Sequence, residues 1–173
     1  MRIIAGTHRG HTIYAPIGHD TRPTSDRVRE NVFNIIGPVD GATVLDLYAG
    51  SGAMGLEALS RGAAQAVFVD DDRDAVKAIE RNLDKLRLRA TVLQQDAVAV
   101  LASEKRKYDL VLVDPPYAVY TDIEPQLARY LPRVLADDGV VVVETDARVQ
   151  PALPLEERTS RKYGQTRVTV YER

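Results

Sequence analysis

The chain has 173 residues, 45% of them apolar and 28% charged, which suits one globular domain with a sizeable core or a domain with a small appendage. Acidic side chains outnumber basic ones by 25 to 23, so net charge does not mark the whole chain as a nucleic-acid binder, and the absence of cysteine excludes disulfides, thiolate metal sites and a cysteine nucleophile. No charged leader runs into an apolar stretch and no apolar run approaches bilayer length, so no membrane contact is expected and the expected location is the cytoplasm.

Residues 1 to 20 read as two short strands joined by turn residues Thr7 to Gly10, a β-hairpin. A helix follows Pro23, with Thr24 or Ser25 as its cap: Val28, Val32, Ile35 and Ile36 recur on one face before Gly37-Pro38 stops it. A boundary near Gly37 to Gly41 divides an N-terminal extension, residues 1–37, from a domain over 38–173. Charge divides the chain similarly. Residues 1 to 35 hold five arginines against three acids, the remainder holds 18 basic and 22 acidic side chains, and all three histidines lie in the extension.

From residue 43 onward, short apolar runs alternate with amphipathic segments, the pattern of βα units on a parallel sheet. The runs are 43 to 47, 66 to 70, 90 to 94, 109 to 113 and 139 to 144. Val76, Ile79, Leu83 and Leu86 mark one helix; Ile123, Leu127, Tyr130, Leu131 and Val134 mark another. Gln165 to Tyr171 alternates instead, after a turn at Lys162-Tyr163-Gly164, which predicts an antiparallel strand pair closing the sheet.

The first of these strands runs into Asp46-Leu47-Tyr48-Ala49-Gly50-Ser51-Gly52-Ala53-Met54-Gly55, a Gly-x-Gly-x-x-Gly between strand and helix. Glycines serve there where backbone approaches a ligand and the following helix packs against the strand. Asp70, 20 residues after Gly50, stands where an acid grips two ribose hydroxyls, and on these features a nicotinamide oxidoreductase is open. Asp46 argues the other way: a carboxylate before the glycines repels pyrophosphate and favours a cation, and S-adenosylmethionine carries a sulfonium and an ammonium but no phosphate. Asp96, after the third strand, suits a hydrogen bond from an adenine amino group or a helix cap. Tyr48 and Ala49 in the loop, and Ala97 beside Asp96, complete the candidate cofactor contacts.

The most specific stretch is Tyr108 to Tyr117, an apolar strand that delivers Asp114-Pro115-Pro116-Tyr117 to the carboxyl edge of the sheet. Two prolines fix successive φ angles, so the turn is rigid. An exocyclic amine on a planar base is a poor nucleophile because its lone pair is delocalised into the ring. A catalyst for it needs fixed acceptors and a stacking surface: the Asp114 carboxylate and Pro115 carbonyl accept the two N–H bonds while Tyr117 stacks on the base.

Asp46 to Gly52, Asp70, Asp96 and Asp114 to Tyr117, in this order, resemble the class I S-adenosylmethionine-dependent methyltransferases that modify exocyclic amines of nucleic-acid bases. Arg2-Ile3-Ile4-Ala5-Gly6, Arg9-Gly10 and Arg22 to Glu30 narrow the resemblance to the RsmD family, which methylates guanine N2 in 16S ribosomal RNA. The resemblance implies an α/β fold, a Rossmann-like seven-stranded sheet, mostly parallel with one antiparallel strand near the C-terminus, carrying an N-terminal β-hairpin and helix. It implies S-adenosylmethionine as cofactor, with Asp46 near the methionine moiety, Asp70 on the ribose, Asp96 at the adenine and Asp114, Pro115, Pro116 and Tyr117 receiving the target base. Relatives often have glutamate at the ribose position; here Asp70-Asp71-Asp72 stands there, so Asp71 remains an alternative. The implied partner is 16S rRNA in the small ribosomal subunit, with the enzyme a monomer.

Phosphate contacts are expected from the extension, through Arg2, Arg9, Arg22, Arg27 and Arg29, which otherwise pair with Asp20, Asp26 and Glu30 on a solvated surface. His8-x-x-His11 lacks a third ligand in any recognisable pattern, so no metal is expected. Two further readings stay open: a DNA adenine-N6 or cytosine-N4 methyltransferase, since the same turn serves those amines, and a non-catalytic RNA-binding module.

Overall fold

The structure, a computed structural model, describes residues 1–18 and 24–173. Helix α1 (Asp26–Ile36) is followed by β1 (Thr43–Leu47), α2 (Ala53–Ser60), β2 (Gln65–Asp70), α3 (Arg73–Leu86), β3 (Thr91–Gln94), α4 (Ala97–Ser103), β4 (Tyr108–Val113), α5 (Tyr120–Val134), β5 (Leu135–Asp146), β6 (Glu156–Tyr163) and β7 (Thr166–Glu172). The strands form one seven-stranded sheet in the order β3-β2-β1-β4-β5-β7-β6. Only β7 runs against its neighbours; β3, β2, β1, β4 and β5 pair in parallel.

Central strands buried on both faces read as continuous apolar runs, which is why β1, β2 and β4 were legible as strands. Val44, Phe68, Leu110, Leu112, Val142 and Val168 line one face and pack with Val32 and Phe33 of α1, Leu56 of α2 and Ile79 and Leu83 of α3. Leu45, Val67, Val111, Val141 and Tyr171 line the other, under Val100 and Leu101 of α4 and Leu127 and Leu131 of α5. Successive strand residues alternate between faces. Asp46, Asp70, Asp114 and Glu144 each lie two positions beyond a residue of the first face, so the parity carries four acids to that face at the carboxyl edge of adjacent strands β2, β1, β4 and β5.

The extension doubles back as expected, but through one ladder pair, Arg2 with Thr12, rather than two regular strands. The consecutive N–H groups of Ile4 and Ala5 both donate to the Glu57 carboxylate of α2, at 2.9 and 3.0 Å, which two residues of a regular strand could not do. Ile3 and Ile13 join the same core cluster as the sheet. Helix α1 is capped by Ser25, whose side chain accepts from the Val28 N–H, and Gly37 ends it.

At the C-terminal end β5 is longer than the expected 139 to 144, because α5 passes into it without a loop and Leu135 pairs with Tyr108 ahead of an irregularity in the register. Strand β6 is a polar edge strand with no alternation to betray it, and its turn to β7 lies at Gly164-Gln165, so Lys162 and Tyr163 belong to the strand. No helix among the described residues is long and apolar enough to cross a membrane.

Candidate active site

Asp46, one residue before the end of β1 and on the face that carries Val44, is 3% exposed, and its Oδ2 accepts the Gly55 N–H of α2 at 2.9 Å. Burial pushes its carboxyl up to about 8; the Gly55 hydrogen bond opposes the shift and the charge of Asp70 adds to it. Asp114, just past β4, is raised well above the ordinary carboxylate range by burial and by the neighbouring charges of Glu144 and Asp46. Acids so placed favour a ligand that brings positive charge. S-adenosylmethionine meets that demand with its sulfonium and ammonium, whereas a dinucleotide would bring pyrophosphate to the same carboxylates.

The glycine loop behaves as its pattern requires. Gly52 adopts φ +82° immediately before α2, a left-handed value that side chains disfavour. A Cβ on Gly55 would lie 2.4 Å from the Phe68 ring and 2.9 Å from Asp46 Oδ2, so glycine is what lets α2 lie against β1 and β2. Asp70 binds the Gly50 N–H through Oδ2 (2.9 Å) and the Asp72 N–H through Oδ1 (3.0 Å), fixing the loop as well as ending β2. Burial raises its pKa, with those two N–H groups opposing. Asp71 is exposed, and together with Asp96 its charge adds to the burial that pushes the Tyr48 phenol up to about 12. Tyr48, Asp71 and Asp96 therefore converge at the ends of β1, β2 and β3. Asp96 caps α4, accepting from the Ala99 N–H at 3.0 Å, and Ala97 behind it is buried.

The Asp-Pro-Pro-Tyr turn stands beside this loop because β4 is next to β1 in the sheet. Pro115 is buried and Pro116 exposed. The Pro116 carbonyl is taken by the Val119 N–H (2.9 Å); among the described residues no hydrogen bond reaches the Pro115 carbonyl. The Tyr117 hydroxyl is hydrogen-bonded to Thr166 Oγ1 of β7, which fixes the ring's outer end.

The structure adds two residues here that the sequence reading did not select. Thr24 Oγ1 lies 2.8 Å from Glu144 Oε2 and 3.3 Å from Asp114 Oδ2, so the N-terminal segment reaches the Asp-Pro-Pro-Tyr turn. Glu144 sits two residues before the end of β5, directly after its apolar run, and the strand parity that buries Val142 is the signal that points to it.

Among the five arginines, Arg29 is corrected: it is fully buried and does not face a substrate. Its Nε meets Glu57 Oε1 at 3.2 Å, one terminal nitrogen meets Asp26 at 2.9 Å, and the same nitrogen binds the Arg2 carbonyl. It is four positions before Phe33 and three before Val32, on the buried stripe of α1. Arg2, Arg9 and Arg27 are exposed. Arg22 lies outside the described residues. His8 hydrogen-bonds through Nε2 to the Leu86 carbonyl (2.8 Å) and through Nδ1 to Thr7 (2.8 Å), which occupies both ring nitrogens.

The strand order, the glycine loop and the acids beside the Asp-Pro-Pro-Tyr turn define a class I S-adenosylmethionine-dependent methyltransferase. The chain belongs to the RsmD family, whose model, described as conserved hypothetical protein 95, matches residues 1–172. The Bacillus subtilis protein YlbH is 40% identical over 187 residues, covering 100% of this chain and 99% of that one. Ribosomal RNA small subunit methyltransferase D of Escherichia coli K12 is 39% identical over 156 residues, covering 89% of this chain and 78% of that one. A solved structure of the Escherichia coli protein yhhF superposes with a TM-score of 0.90 at 36% identity, covering 100% of this chain and 97% of that one.

Proposed function

We propose that the chain methylates the exocyclic N2 amine of a guanine in 16S ribosomal RNA, in a partly or fully assembled small subunit, acting as a cytoplasmic monomer without a metal. The observation that carries this reading is the rigid Asp114-Pro115-Pro116-Tyr117 turn set directly beside a glycine loop whose buried acids favour a cation. Relatives named for ribosomal RNA small subunit methylation support the choice of RNA.

The bound S-adenosylmethionine supplies an electrophilic methyl group. Asp46 would hold the positively charged methionine end, Tyr48, Ala49, Gly50 and Gly52 the loop side, Asp70 or Asp71 the ribose, and Asp96 with Ala97 the adenine. Both oxygens of Asp70 already receive backbone N–H groups, and each retains a lone pair for a ribose hydroxyl; the exposed Asp71 beside Tyr48 is the alternative.

Asp114 and the Pro115 carbonyl accept the two amino N–H bonds and stabilise the positive charge that develops on nitrogen, a contribution of roughly 3 to 4 kcal/mol for one preorganised contact. Positioning can supply up to about 7 to 11 kcal/mol more. Extruding a stacked base costs a few kcal/mol, and stacking on Tyr117 returns about 1 to 3 kcal/mol. Arg2, Arg9, Arg22 and Arg27 would hold phosphates.

The test is transfer of a labelled methyl group from S-adenosylmethionine to small subunits from cells lacking this protein, followed by nucleoside analysis. Label in N2-methylguanosine of 16S RNA is expected. Label in another nucleoside, in DNA or in protein, with none in N2-methylguanosine, would overturn the substrate assignment and leave the enzyme class standing.

A further inference from the structure

Among the described residues the exposed large hydrophobic side chains are Tyr14, at 36%, and Ile17, at 79%, and both lie on the stretch that runs from the Arg2–Thr12 pair toward Thr24. The Tyr14 N–H donates to Asn82 Oδ1 of α3 at 2.7 Å, and its carbonyl accepts from Asn82 Nδ2 at 2.9 Å. The same nitrogen donates to the Ser51 carbonyl of the glycine loop at 3.0 Å. Asn82 is fully buried, so an internal side chain fixes this stretch to α3 and to the glycine loop at once. Two cations of α3 lie against the Tyr14 ring. Arg81 stands 3.6 Å from its centroid and Lys85 5.0 Å, and Lys85 Nζ also donates to the Thr12 carbonyl and hydroxyl at 2.7 Å each.

Helix α3 sorts its charges by side. Successive residues are about 100° apart, so Lys85, Arg81 and Lys77 lie about 60°, 100° and 140° round from Asn82 in one direction, whereas Glu80 and Asp84 lie about 160° from it. Asp74, the acid on the cationic side, is in the first turn, about two turns from Arg81. Lys77, Arg81 and Lys85 are exposed, and among the described residues none of the three forms an ion pair. A guanidinium stacked on a ring is held in place while its edge N–H groups remain for an in-plane acceptor such as phosphate. An ammonium has three hydrogens, and Lys85 keeps one after its two bonds to Thr12.

We propose that Tyr14, Arg81 and Lys85, with Lys77 next in the row, form a docking ridge for the RNA that flanks the target nucleotide. The cations take backbone phosphates, and the Tyr14 ring with Ile17 offers apolar surface to a base. Cations interleaved with an exposed aromatic suit a partner that brings phosphate charge and flat apolar rings together. Further along the same chain, Thr24 meets Asp114, which connects the ridge to the place proposed for the target base. The inference deepens the proposed RNA methylation and rests on RNA being the substrate; it adds α3 to a contact surface otherwise drawn from the arginines of the N-terminal segment.

The experiment measures binding of protein-free 16S RNA, and of small subunits from cells lacking this protein, over a range of salt concentrations. It compares the native protein with Arg81→Gln/Lys85→Gln and with Lys105→Gln/Lys107→Gln. Lys105 and Lys107 are exposed between α4 and β4, and α4 packs on the other face of the sheet from α3, so the second pair removes the same charge elsewhere. Arg81→Gln/Lys85→Gln should weaken binding of both RNA and subunits at least about tenfold at about 0.15 M salt and reduce the salt slope by between about one and two. Its calorimetric affinity for S-adenosylmethionine should stay near native, and Lys105→Gln/Lys107→Gln should bind RNA within about threefold of native. Tyr14→Ala should weaken RNA binding about fivefold or more, while Tyr14→Phe, which keeps the ring, should match the native protein.

Native affinity and slope in the α3 double variant, or equal weakening in the two double variants, would overturn the ridge. Weakened binding of subunits with undiminished binding of protein-free RNA would also overturn it, because the face would then meet ribosomal protein. If the native protein methylates no guanine N2 yet the α3 variant still loses RNA affinity, the substrate nucleotide is misassigned and the ridge stands.

Discussion

Glu57 and Asp46 are both acids removed from solvent, 0% and 3% exposed, and they stand on consecutive elements, yet their surroundings are opposite. Glu57 receives Arg29 Nε, Arg61 Nε and the N–H groups of Ile4 and Ala5, all within 3.2 Å, and Arg61 also stacks over the Phe33 ring at 4.7 Å. Asp46 receives one backbone N–H and faces the charges of Asp70 and Asp114. A buried acid that the fold completes with cations is a fastening; Asp46, which among the described residues receives no cation, is one that a cationic ligand would complete. The first attaches the N-terminal segment to α2, and the second opens on the carboxyl edge of the sheet.

The largest effects should come from breaking the fastening. Glu57→Ala removes the buried one of Arg29's two carboxylate partners and should cost about 3 to 5 kcal/mol in urea unfolding, with Arg29→Ala close behind. A loss below about 1 kcal/mol for both would mean that water reaches the pair. At the ligand side, Asp114→Ala should cut turnover at least about a hundredfold, while calorimetric affinity for S-adenosylmethionine stays near native. Turnover close to native would remove the carboxylate from the chemistry.

Asp46 gives a smaller effect with a definite sign. Its folded pKa of about 8 lies above the unfolded value near 3.8, so between those values the folded state binds more protons and this acid makes stability fall as pH rises. Asp46→Asn should therefore raise the stability of the ligand-free protein at pH 8 by about 1 kcal/mol or more and flatten its dependence between about pH 4 and 8. The same change should weaken S-adenosylmethionine binding about tenfold. A variant that loses stability at pH 8 would place Asp46 with Glu57 as a structural acid. The smallest effect on folding belongs to Arg27→Ala, two positions from Arg29 but exposed: stability within about 0.5 kcal/mol of native, and an RNA-binding salt slope reduced by about one. An unchanged slope would take Arg27 out of the RNA contacts.

The residues legible in the sequence were those whose position follows from a local period or a fixed motif. β1 was bounded correctly by its apolar run, and the left-handed Gly52 and the close approach at Gly55 are what a strand-to-helix glycine loop demands. Arg29 was misread because an arginine beside acids on a helix usually lies in solvent; the stripe it shares with Val32 and Phe33 was visible, but the partner 28 residues away was not. Glu57 resembles any surface acid of a short helix until the extension folds over it. Glu144 went unselected for a related reason: Val-Val-Val-Val-Glu-Thr shows a buried strand, while the placement of its acid beside Asp114 is set by the strand order β4-β5. β6 was unlocatable because an exposed edge strand has no apolar alternation.

The central claim, that the buried acids are held ready for a cation, is tested most directly by calorimetric titration of S-adenosylmethionine at pH 7 in two buffers of different ionisation enthalpy. Asp46 is mostly protonated at that pH when the site is free, and a cation favours its ionised form, so binding should release protons to the buffer, and Asp46→Asn should reduce the release. Binding with no proton exchange, or release that is equal in Asp46→Asn, would contradict the claim.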